Sequence, residues 1–188
     1  MDPISLVIEK TEELLGHSPH PAIVTVPLGA WTVSNICDGL ALATGERAYD
    51  DAARISMAVG LIGAVGAAAT GLHDYSKIPR DRPSHSVATT HGLGNALATS
   101  LMTASYVMRV RAHDARRKPG LAARLLALSA GGMVLYTAWL GGKLVEEMGE
   151  GVHPVMDRLP AHEGGTGEDH GHGRERLDPT APLGMHNA

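Results

Sequence analysis

The sequence predicts an all-α protein. It reads as an integral membrane, antiparallel four-helix bundle, with an N-terminal amphipathic interfacial helix (1–16) and a disordered C-terminal tail (157–188). Three observations predict this. Four runs carry no Asp, Glu, Lys or Arg: 24 residues from Leu14 to Cys37, 19 from Ile55 to His73, 26 from Pro83 to Met108 and 18 from Leu125 to Gly142. About 20 such residues in a helix cross the ~30 Å hydrocarbon layer. The runs are also rich in Gly, Ala, Ser and Thr, which let membrane helices pack closely. Finally, short polar segments with Gly or Pro separate them. The soluble alternative, a bundle with small-residue seams, would need a polar face that these runs lack.

Residues 1–16 form the first element. Asp2 can cap it, Pro3 suits its first turn and Gly16 ends it. Ile4, Val7, Ile8, Thr11, Leu14 and Leu15 recur at helical spacing, with Glu9, Lys10, Glu12 and Glu13 between them. The segment lacks the basic start and continuous apolar core of a signal peptide, so it is expected along the membrane surface.

The transmembrane domain is expected over 17–156, with spans at about 21–44, 53–72, 87–110 and 121–144. Pro27 cannot donate to the carbonyl of Ile23 and should kink the first span. Gly60, Gly63 and Gly66 put a small-residue stripe on the second. His91 and Asn95, four apart, share one face of the third. Trp139 and Tyr75 suit an interfacial belt, and Lys143 can extend its ammonium to the outer interface. Trp31 lies deep in the first span as packing, and Cys37 reads as a small buried hydrophobe.

Charge sets the orientation. The first and third interhelical loops and their helix ends carry Arg47, Arg54, Arg109, Arg111, Arg116, Arg117, Lys118 and Arg124; the middle loop carries Lys77, Arg80 and Arg82. The positive-inside rule puts the eight-charge side in the cytoplasm, with both termini outside. Asp38, near the cytoplasmic end, is expected to pair with Arg54 or Arg124 rather than to carry protons. Ten of the eleven histidines fall on the outer side.

His20-Pro21 is followed by Pro27-Leu28-Gly29 and then Asp38. Thr90-His91-Gly92-Leu93-Gly94-Asn95 opens the third span. Trp139-Leu140-Gly141-Gly142 leads into Leu144-Val145 and Gly149-Glu150-Gly151-Val152. In this order the motifs resemble the bacterial membrane proteins grouped as domain of unknown function 2231, over about Gly16 to His153. The resemblance implies four membrane helices. Some relatives look joined to Rieske-like iron–sulfur domains, which implies a link to electron transfer. Members often carry an aromatic residue where Glu146 stands.

Polar groups inside a membrane are costly and mark function. The histidines support three readings. In the first, His20 and His91 hold a b-type haem between facing helices, with Asn95 orienting His91 or a quinone. In the second, His17, His20, His73, His91 and His153 supply a divalent-metal site at the outer face, where imidazoles suit zinc, copper or nickel. In the third, the histidines tie helices together in a structural or partner-binding membrane subunit without a cofactor. Expected partners are the lipid bilayer, a quinone or electron-transfer protein, and a second copy of the chain in a homo-oligomer. A net charge of −4 does not suggest nucleic acid, and a single cysteine excludes a multi-cysteine metal site. No nucleophile elbow, phosphate loop or zinc-protease helix is present, so no enzymatic activity is assigned.

Overall fold

A computed structural model describes residues 3–151, and every regular element among them is a helix. The helices are α1 (Pro3–Leu15), α2 (His20–Ile23), α3 (Thr25–Thr44), α4 (Arg47–Ser76), α5 (Pro83–Asp114) and α6 (Leu121–Glu146). Asp2, His153 and the tail at 157–188 lie outside the described residues. Gly16 ends α1 as expected, taking a positive φ of 73° while its N–H reaches the Glu12 carbonyl.

The expected first span is divided. Val24 separates α2 from α3. Pro27 has no N–H for the Ile23 carbonyl, and the ladder resumes with Leu28 N–H to Val24 O at 3.2 Å. The other long helices outrun their charge-free cores: α4 has 30 residues and α5 has 32, about 45 and 48 Å at 1.5 Å per residue. Their charged ends continue the helix past the apolar run, because those side chains are ion-paired or reach water.

α3 packs on α4 and α5 on α6; contacts of α4 with α5 and of α3 with α6 join the two pairs. α1 rests on α4, with Ile8 buried and Lys77 Nζ 2.6 Å from Glu12 Oε2. Small residues line these seams. Ala53, Ala98, Ala123, Ala127 and Ala130 are wholly buried, whereas Ile62, Val65, Leu72, Leu128 and Leu135 are 63–76% exposed. Small-inside, large-outside is the reverse of a water-soluble core and is what helices packed within lipid require. α4 and α6 are both long and apolar enough to cross a membrane.

The glycine stripe on α4 does what its spacing predicts. A Cβ at Gly60 would lie 2.2 Å from Trp31 Nε1, and one at Gly63 would lie 2.7 Å from Val26 Cγ1. Gly60→Ala is therefore expected to lower the melting temperature of the detergent-solubilised protein. Overpacking costs roughly 1–3 kcal/mol against a fixed neighbour, more than the ~1 kcal/mol alanine gains in helix propensity. Trp31 is buried and holds Met57 O through Nε1 at 3.4 Å, so it has little room to yield. Gly132→Ala is the control: nothing lies within 4 Å of its Cβ position, and stability should hold or rise.

Candidate functional site: two histidines between helices

Ser18 prepares the first histidine. Its Oγ accepts the His20 N–H at 3.1 Å and donates to Asp74 Oδ2 at 2.7 Å, fixing the start of α2 against the end of α4. His20 Nδ1 then lies 3.0 Å from Thr70 Oγ1. The Thr70 hydroxyl donates to the Gly66 carbonyl at 3.0 Å, so it accepts from His20 Nδ1–H. In the neutral ring this leaves Nε2 as the lone-pair nitrogen.

His91 is set the same way on α5. Its Nδ1 is 2.8 Å from the Thr137 carbonyl on α6, which can only accept, so Nδ1 carries the proton. Nε2 accepts from Asn95 Nδ2 at 3.0 Å, and Thr137 Oγ1 donates to Asn95 Oδ1 at 2.8 Å, fixing the amide. Both imidazoles thus carry Nδ1–H and offer Nε2.

Glycines give the rings their space. A Cβ at Gly71 would come within 2.8 Å of His20 Cε1, and one at Gly141 within 3.1 Å of His91 Cε1. α2 packs on α3 and α4, and α5 on α4 and α6. The histidines of α2 and α5 are close enough to influence each other electrostatically.

The other candidate ligands go elsewhere. His17 Nδ1 contacts the Ser18 carbonyl at 2.9 Å. His73 Nε2 is buried 3.9 Å from Glu12 Oε2, too far for a hydrogen bond, and has no other partner. His153 lies outside the described residues. Among the described residues, no three of His, Cys, Asp and Glu come together as a metal-ion site. Lys143 sits 5.9 Å from the Trp139 ring centroid.

A second polar cluster ties the opposite end. Asp38 on α3 accepts Arg109 Nη1 at 2.7 Å and also a short hydrogen bond from Nη2, as well as Arg124 Nη1 at 3.0 Å. Arg124 Nη2 reaches Asp50 Oδ1 at 2.6 Å. Arg109 Nε donates to Ser105 Oγ, which donates to the Ala123 carbonyl. Two carboxylates and two guanidiniums, all buried, link α3, α4, α5 and α6. Of the partners expected for Asp38, Arg124 is correct. Arg54 is not; it lies 3.4 Å from Asp51. Arg109, read from sequence as a loop cation, is 1% exposed. Its signal was available: it stands four residues after Ser105, on one helix face, at the edge of a charge-free run.

No curated protein and no solved structure matches the chain. The small-inside packing, the two apolar helices and the motifs around His20, His91 and Gly141 agree with a family match over residues 16–154: the chain belongs to the family described as "Predicted membrane protein (DUF2231)".

Proposed function

We propose that this chain is a four-span inner-membrane redox protein that holds b-type haem between His20 and His91. One observation carries the reading: two imidazoles on different helices, α2 and α5, are both fixed with Nδ1–H donated to an oxygen and Nε2 as the lone-pair nitrogen. That is the tautomer an axial haem ligand needs, and the oxygen beyond Nδ1 is the usual orienting partner of a ligating histidine. The donor set fits the group. His91 Nε2 would exchange the Asn95 amide for iron, and Gly71 and Gly141 admit the rings. Bound haem would supply one-electron transfer; the Thr137 carbonyl on His91 Nδ1–H would tune it by hydrogen bonding. A membrane quinone or an electron-transfer protein is the electron partner. The divalent-metal reading has less support: among the described residues, no three of His, Cys, Asp and Glu come together.

The orientation follows from charge. Arg109 and Arg124 are neutralised internally, which leaves six cations on the loop side of α3–α4 and α5–α6 against three on the other. The bias keeps its sign, with the histidines on the outer side. In the same reading α1 lies at the outer interface, with exposed Ile4, Val7 and Leu14 toward lipid.

Haem content tests the reading. Protein purified without a tag from cells supplied with a haem precursor should yield close to stoichiometric haem by pyridine haemochrome assay. Haem-free protein under those conditions would refute it. A structural role is the second reading, favoured by the interhelical bonds of His20 to Thr70 and His91 to Thr137. It predicts folded, haem-free protein whose stability depends on both histidines.

A further inference from the structure

At the end opposite the histidines, a cleft of about 420 Å³ opens between the α3–α4 turn, the α5–α6 loop and the adjoining helix ends. Six Arg and Lys residues line it against three Asp. Most of the cations lack a carboxylate. Arg109 is consumed by Asp38 and lies inside the bundle. Among the described residues, Arg47 Nη2 reaches only the Arg116 carbonyl at 3.0 Å, and Lys118 Nζ only the Gly45 carbonyl at 2.5 Å. Arg116 and Arg117 make no ion pair among the described residues and are exposed. Arg54 Nε is buried in the cleft wall without a hydrogen-bond partner, a state that costs free energy unless a ligand completes it. The acids offset little of this: Asp50 is held by Arg124, Asp51 is shared by Arg54 and His113, and the exposed Asp114 alone stands against Arg47, Arg116, Arg117 and Lys118.

The loop is shaped to keep these groups together. Arg116 ends α5 in the left-handed region at φ 57°, a place that favours glycine. Its N–H and that of Arg117 return to the His113 and Ala112 carbonyls at 2.8 Å. This turn puts two guanidinium-bearing residues at the cleft instead of a glycine.

We infer that the cleft binds the phosphate headgroup of an anionic phospholipid that carries more than one negative charge. Guanidinium groups match phosphate oxygens in pairs, and basic pockets between membrane helices recruit such headgroups. The lipid source follows from the surroundings. The cleft lies at helix ends, and the neighbouring residues are apolar and outward: Ile55 beside Arg54, and Leu121 and Leu125 just past Pro119. Acyl chains attached to a headgroup here would lie along that surface. The site is independent of haem.

The test uses the full chain in neutral detergent, titrated with diphosphatidylglycerol, with phosphatidylcholine or with inorganic pyrophosphate, and read by native mass spectrometry. Diphosphatidylglycerol should bind about tenfold or more tighter than phosphatidylcholine, and R116Q/R117Q should remove most of that preference. R80Q/R111Q removes the same charge outside the cleft and should retain it. Arg116 and Arg117 are exposed and unpaired, so their substitution leaves the bundle intact. Arg54→Gln, which removes the buried donor, should weaken binding as well. Equal retention of the two lipids, or equal loss in the two double variants, would overturn the proposal. Pyrophosphate binding as tightly as the lipid would overturn the lipid assignment.

Discussion

Asp38→Asn is expected to destabilise the protein by about 3–5 kcal/mol, the cost of leaving a buried charge uncompensated. Among the described residues, Asp38 is the only carboxylate on the Arg109 guanidinium, which is fully enclosed and cannot reach water. Arg124 would keep Asp50, so the loss concentrates on Arg109. The measurement is thermal unfolding in detergent, with monodispersity on gel filtration as a second readout. Because replacing a buried ion pair with apolar groups is often neutral, D38L/R109M should recover much of the loss. Asp38→Asn with an unchanged melting curve would mean that Arg109 is not held in the bundle as described.

His20→Ala and His91→Ala should each strip the protein of haem while leaving it folded. Neither side chain is a core hydrophobe, and each substitution removes an interhelical hydrogen bond worth about 1 kcal/mol. In that reading each histidine would supply one nitrogen to the haem, and His17, whose Nδ1 contacts the Ser18 carbonyl, would not replace it. Asn95→Ala should keep the haem and shift its reduction potential, since it frees the Thr137 hydroxyl beside the carbonyl that holds His91 Nδ1–H. The readouts are haem-to-protein ratio, helical circular dichroism and, for Asn95→Ala, a redox titration. If both histidine variants misassemble and the wild-type protein holds no haem, the residues serve to tie helices together.

The long helices were legible because lipid immersion leaves a mark: charge disappears for a span's length, and glycines gather where backbones meet. The stripe of Gly60 and Gly63 against Trp31 and Val26 is such a case. Helix ends were not legible from that signal, because residues such as Arg47 and Asp114 continue a helix without being apolar. The spacing of His91 and Asn95 put both on one face, and the structure links them through Nε2. The partner of His20 was hidden, since Thr70 is one of many hydroxyls and which one it meets depends on how α2 docks on α4. Asp38 and Arg109 are 71 positions apart, and nothing local to either says that they pair. Position relative to the bilayer was inferred from loop charge, and two of the eight cations counted for it proved internal.

The central claim, that His20 and His91 are haem ligands, is tested most directly by the dithionite-reduced minus air-oxidised absorption spectrum of the purified, tag-free protein. A Soret band that shifts and sharpens on reduction, with resolved α and β bands, is the expected result for iron held by two imidazoles. A featureless spectrum from protein made with ample haem would contradict the claim and leave the two histidines as ties between helices.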